Sequence, residues 1–317
     1  FICFSGCINS ADTPNDASNE KDVQIYKKEP IVNENANNSN PNAPRNLSNM
    51  WAIMATDDYA DEDRDSSNWT FYSYFLLVYD CLVKIGFTEE QIVSCLNESF
   101  TKKTIHDALD YISDHSGDPN NATVVLWILS HGNSLPLSDG KLHSFLQVRI
   151  ENSTNESPEW ETLADYELDN YLDRHSYGKL LVYVGSCMSG CFAAQDTTGL
   201  LHGSTDLAHT SCGGPNRIII TDTIAPITSS LLSGLRFFWQ EGLVNNSGDT
   251  APAGNEDGRT SVEEAWRYFK TIWVQALYPP SPSPSIHLEK LWILAQQPCM
   301  NDQYPAENPE GEMFLDT

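Results

Sequence analysis

The sequence predicts an α/β fold, a three-layer αβα sandwich around a mainly parallel sheet. Two observations carry this. The segments "ATVVLWIL", "KLLVYV" and "NRIII" are apolar at nearly every position, as expected of strands covered on both faces. Between them, apolar residues recur at helical spacing. Strands and helices in alternation build a parallel sheet with right-handed crossovers.

Taken in order, Met50 to Ala55 reads as a first short strand. Phe71, Tyr74, Phe75, Val78 and Leu82 mark a helix that Gly86 closes. "QIVSCL" is a second strand. A helix follows from Lys102 to His115, with Ile105, Ala108, Leu109 and Ile112 on one face and Thr104 with Asp107 as an approximate capping box. "ATVVLWILSHGN" is the third strand, ending at Ser130-His131-Gly132, and "SFLQVRI" suggests an inserted hairpin arm. Trp160 to His175 reads as helix, "KLLVYVGSC" as a strand ending at Cys187, and "NRIIITDT" as a fifth strand. Thr228 to Leu243 and Ser261 to Leu277 read as helices, and "LEKLWIL" as a last strand after the breaker "YPPSPSPS". No internal repeat is visible.

The chain of 317 residues suits one catalytic domain with appendages. We divide it into residues 1–7, 8–48, a main domain at 49–278, and a Pro-rich linker, last strand and tail at 279–317. Forty-four acidic against eighteen basic residues give a formal charge of -26. That balance lacks the basic footprint of nucleic-acid binding.

Several features point to export. "FICFSGC" has the form of a signal-peptide apolar end followed by a prokaryotic lipobox, which makes Cys7 the expected lipidation site and a membrane anchor. The Asn-, Asp-, Ser- and Pro-rich stretch after it reads as a disordered tether. Asn-x-Ser/Thr acceptors stand at Asn37, Asn46, Asn68, Asn97, Asn121, Asn152, Asn155 and Asn245. The expected location is the cell surface or beyond, lipid-anchored, in a prokaryote. Apart from Cys3 and Cys7, the cysteines are Cys81, Cys95, Cys187, Cys191, Cys212 and Cys299, too sparse for a disulfide scaffold. A Cys81 to Cys95 bridge stays open.

Side chains at the carboxyl ends of parallel strands converge on one rim. His131 and Cys187 each stand just past such an end. A histidine near a cysteine can take the thiol proton and later return it to a leaving amine. Two other readings stand beside this one: Cys187 as a packed thiol, and a zinc site from Cys187, Cys191 and a histidine.

The blocks "TVVLWILSHGN" and "LLVYVGSCMSGCF" resemble the histidine and cysteine motifs of the caspase-like superfamily of cysteine peptidases. The nearest branch is the one that holds legumain and the peptidase subunit of the GPI transamidase. The resemblance runs from Met50 to about Leu243, and Gly185-Ser186 departs from the pair usual in legumain-type enzymes. It implies Cys187 as nucleophile, His131 as general acid and base, and the Gly132 and Cys187 N–H groups as the oxyanion hole. It also implies a peptide or protein substrate and no required cofactor. Thr56, Asp57 and Asp58 follow the first strand, where the family places groups that orient the histidine or shape the substrate pocket, and Arg64 lies nearby. Asp222, on the expected rim, would suit a basic substrate residue. The alternative to an enzyme is a surface binding module that keeps the fold without turnover.

"AGNEDGRTSVEEAW" is weighed as a calcium loop. Asn255, Asp257, Ser261 and Glu264 occupy EF-hand positions, while Ala253 at the first position cannot ligate. The competing reading is a capping box, Ser261 with Glu264, that opens the last helix.

Overall fold

The computed structural model describes residues 49–57, 71–151, 159–193, 212–222, 235–277, 299–304 and 312–315. Cys7, the tether, Asp58, Arg64, "LEKLWIL" and the acceptors Asn37, Asn46, Asn68, Asn152 and Asn155 lie outside the described residues.

Five parallel strands form the central sheet: β1 (Met50–Thr56), β2 (Ile92–Leu96), β3 (Thr123–Leu129), a later strand β7 (Lys179–Gly185) and β8 (Arg217–Asp222). Their order is β2-β1-β3-β7-β8, with β9 (Cys299–Asp302) added antiparallel at the β8 edge. Every residue of β1 and β3 is buried, which is what the two-sided apolar runs required.

The strands feed two cores. Ala52, Met54, Trp127, Leu181 and Tyr183 face one side. There they meet α1 (Phe71–Ile85), a π-type helix at Leu235–Val244, and α5 (Val262–Leu277). Ile53, Val124, Leu126, Ile128, Val182 and Val184 face the other, under α2 (Lys102–His115) and α3 (Asp165–Leu172). Each fully buried Leu, Ile or Val side chain contributes about 1.5–3 kcal/mol over exposure. The fold is the three-layer sandwich expected.

Gly86 closes α1 as expected, with a φ of 127° and its N–H on the Leu82 carbonyl at 3.1 Å. The cap of α2 lies one turn earlier than the sequence suggested: Thr101 accepts the Thr104 N–H at 3.1 Å.

The expected arm is a three-stranded antiparallel sheet of β4 (Gly132–Pro136), β5 (Leu142–Arg149) and β6 (Trp160–Ala164). This corrects the helix expected over Trp160 to His175. "WETLA" pairs with β5, and the helix begins only at Asp165. Pairing with the preceding strand overrides the local spacing there.

The Cys81–Cys95 bridge is also corrected. Both thiols are free and buried, and they belong to cores on opposite faces of the sheet. Burial pushes each up to about 12, so they remain neutral thiols.

Residues set beyond the main domain at 279 join the same core. β9 extends the sheet, while Met313 and Leu315 are buried against α5 and its neighbours.

Candidate active site

The β3–β7 register ends with Leu129 opposite Gly185, and the Ser130 N–H continues the ladder onto the Gly185 carbonyl at 3.0 Å. His131 and Cys187 therefore leave adjacent strands at the same rim. The side chain of His131 is exposed, with its ring 5.3 Å from that of Phe71 at the start of α1. Cys187 is half-buried. Burial pushes its thiol above the ordinary value, so the resting group is protonated at neutral pH.

β5 clamps the histidine segment. The Gln147 N–H donates to the His131 carbonyl at 2.9 Å, and the Ser130 hydroxyl donates to the Gln147 carbonyl at 2.5 Å. Gly132 pairs with Leu146 in the register. Because 131 and 147 form the hydrogen-bonded pair, 132 and 146 form the alternate kind. That leaves the Gly132 N–H out of the β4–β5 ladder.

The nucleophile turn is tightly packed. Ser186 is buried, its N–H donates to the Asp222 carbonyl at 2.8 Å, and its carbonyl accepts the Ser189 hydroxyl at 2.9 Å. Met188 adopts a φ of 56° and is 52% exposed. A non-glycine residue held there stores about 1–3 kcal/mol. After it the chain enters α4 (Gly190–Ala193), which buries Cys191.

The other expected site residues have roles of their own. The Thr56 hydroxyl donates to the Leu129 carbonyl at 2.8 Å, tying β1 to the end of β3. Asp57 is buried and forms a two-pronged ion pair with Arg149, whose Nε and one terminal nitrogen both reach its carboxylate. Arg149 also lies over the Trp160 ring at 5.4 Å. Asp57 is thus engaged with β5. Asp222 is buried and accepts the Tyr183 hydroxyl at 2.9 Å on the α1 side of the sheet. A basic substrate residue would have to reach it there.

The loop weighed for calcium is closed by its own hydrogen bonds. One Glu264 oxygen accepts the Asn255 N–H at 2.8 Å and the other the Ser261 N–H at 3.0 Å, while the Ser261 hydroxyl accepts the Glu264 N–H at 3.1 Å. The Asp257 carboxylate accepts the Arg259 N–H, and Asn255 Oδ1 accepts the Asp257 N–H, both at 2.9 Å. The S-x-x-E box therefore caps the helix. Among the described residues no group of three His, Cys, Asp or Glu side chains is arranged to hold a metal. The same holds for the zinc reading of Cys187 and Cys191.

Two groups escaped the sequence reading. Ser144 of β5 touches the nucleophile turn, and His143 with Asp165 stands behind it. Serine and histidine in a strand of alternating burial carry no local signal of such contacts.

No protein-family model matches the chain, nor does any curated protein sequence. Among solved structures the chain is similar to caspase-1 from Spodoptera frugiperda, at 13% identity over 83% of this chain and 92% of that one, with a TM-score of 0.41. It is likewise similar to pro-Sf-caspase-1, at 13% identity over 88% and 96%, with a TM-score of 0.46.

Proposed function

We propose that this chain is a cysteine peptidase that works through an acyl-enzyme on Cys187. One observation carries the reading. The ends of β3 and β7 are joined by the Ser130-to-Gly185 bond, so His131 and Cys187 emerge side by side on one rim.

In the proposed reaction the Cys187 sulfur attacks the scissile carbonyl carbon, and its proton passes to His131. The Gly132 and Cys187 N–H groups face the developing oxyanion. Collapse breaks the C–N bond, and the amine departs with the proton from His131. Water then attacks the thioester and gives a proton to His131, which returns it to the sulfur as the acid product leaves. An amine in place of water gives transfer instead of hydrolysis.

The finer proposal is a legumain-like endopeptidase, exported and anchored through Cys7. Its support is the "FICFSGC" pattern, the acceptor sites and the two motif blocks. Of the acceptors in the described residues, Asn121 and Asn245 are exposed and Asn97 is half-buried.

The test is labelling with a set of peptidyl acyloxymethyl ketones under reducing conditions. Wild type is expected to react at Cys187, with Cys187→Ala unlabelled and His131→Ala slowed by at least about 100-fold. A second reading, a binding module without turnover, is favoured by the raised Cys187 thiol. Failure of every ketone to label wild type would select it.

A further inference from the structure

Ser144 lies in the middle of β5 and is fully buried. Its hydroxyl has two partners, both on the nucleophile turn. It donates to the Met188 carbonyl at 2.5 Å and accepts the Cys191 N–H at 3.2 Å. A serine hydroxyl has one proton to give, and here that proton goes to the residue directly after Cys187. The other bond holds the start of α4. Ser144 thus spans the turn from its strained residue to its first helical turn.

Ser144 is itself held from behind. Its N–H donates to Asp165 Oδ2 at 3.0 Å. Asp165, buried at the start of α3, also accepts the Tyr166 N–H at 2.7 Å and faces His143 Nδ1 at 2.8 Å. The other ring nitrogen of His143 meets Asp139 at 3.0 Å. Ser144 is therefore tied both to the helix layer and to the rim.

A left-handed Met188 persists only where its surroundings over-determine it. The bond from Ser144 to the Met188 carbonyl holds the peptide after Met188, while the Ser186 hydroxyl donates to the Cys187 carbonyl before it at 3.2 Å and the Ser134 hydroxyl reaches Met188 Sδ at 3.8 Å. We infer that Ser144, held by Asp165, is a positioning residue for the nucleophile: it locks the turn after Cys187 so that the thiol and its N–H meet the carbonyl beside His131. The inference rests on the peptidase reading. A purely structural hydroxyl, satisfying two buried backbone groups, would change stability without changing the chemistry of the folded protein.

The experiment uses the full chain and a peptidyl acyloxymethyl ketone that labels wild type. Maximal labelling rate, half-saturating concentration and thermal midpoint are measured for wild type, Ser144→Ala, Ser144→Thr and Asp165→Asn. Ser144→Ala is expected to lower the maximal rate about tenfold, the effect of one lost hydrogen bond, and to leave the half-saturating concentration within about twofold. Ser144→Thr, which keeps the hydroxyl, is expected to recover most of the rate, and Asp165→Asn to lower it in the same direction. A Ser144→Ala rate equal to wild type, or reduced only by the unfolded fraction, overturns the positioning role alone. If Ser144→Ala does not fold, an unchanged maximal rate in folded Asp165→Asn overturns it. Absence of labelling in wild type overturns the peptidase reading and this inference with it.

Discussion

The Cα of Gly132 faces the Ser186 hydroxyl so closely that a β-carbon there would lie 2.0 Å from its Oγ and 2.6 Å from the Cys187 carbonyl. The contact is with backbone and with the hydroxyl of a buried serine. Gly132→Ala is expected to push the histidine and cysteine segments apart. Overpacking of this kind costs about 1–3 kcal/mol, and displacing the oxyanion donor proposed at Gly132 is expected to lower the labelling rate by about 100-fold or more. Denaturant titration and ketone labelling check the two parts. A stable, fully reactive Gly132→Ala protein would refute the contact.

Cys187 also has a predictable pH response. Burial raises its thiol, so its thiolate fraction is small at pH 7 and grows as pH rises toward the elevated value. Its alkylation by iodoacetamide is expected to accelerate steadily from pH 6 to 9, without a plateau below about 8.5, the ordinary thiol value. Cys81 and Cys95, pushed up to about 12 and buried, should stay unmodified in the folded protein. Mass spectrometry of the modified peptides reads all three. A plateau below pH 7 would mean a stabilised thiolate and a different electrostatic setting.

The strands that carry His131 and Cys187 were legible in the sequence because each is written in a contiguous run. The apolar blocks before His131 and Cys187 specify buried strands, and strand ends in a parallel sheet specify a rim. What the sequence hid depends on partners outside the local run. "WETLA" becomes strand because Arg149 and Val148 stand opposite Trp160 and Glu161. Asp57 pairs with Arg149 across 92 positions and Ser144 meets Met188 across 44. Cys81 and Cys95, near in sequence, end up on opposite faces of the sheet because a helix and a strand send them there. No local periodicity encodes such distances.

The Asp57–Arg149 pair separates a structural role from a pocket role. Asp57 is 2% exposed, and both of its oxygens take guanidinium N–H bonds. Arg149→Ala leaves that carboxylate buried without its partner, which is expected to cost about 3 kcal/mol or more. Preference across a ketone library should stay the same in whatever fraction remains folded. The reverse result, altered preference with unchanged denaturant midpoint, would assign Asp57 to the substrate pocket.

Glu263, at the second position of α5, connects pH to the docking of the C-terminal stretch. Both of its carboxylate oxygens lie 3.0 Å from the Met313 nitrogen, and the Val262 N–H donates to the Met313 carbonyl at 2.8 Å. Burial, with Asp302 adding to it against the N–H donors, carries the Glu263 carboxyl from 4.5 up to about 7. Between those values the folded chain keeps the proton and the unfolded chain has lost it. The stabilisation is therefore full below about pH 4.5 and lost as pH rises through 7. Its size is on the order of 3 kcal/mol. The Glu263→Gln protein cannot ionise there, so its stability relative to wild type should climb by about that amount between pH 4.5 and 7.5. The comparison cancels the general repulsion among the other acidic groups, which both proteins share. Denaturant titrations at four or five pH values give the difference directly, and a difference independent of pH would show that Glu263 titrates normally and that Met313 does not bury it.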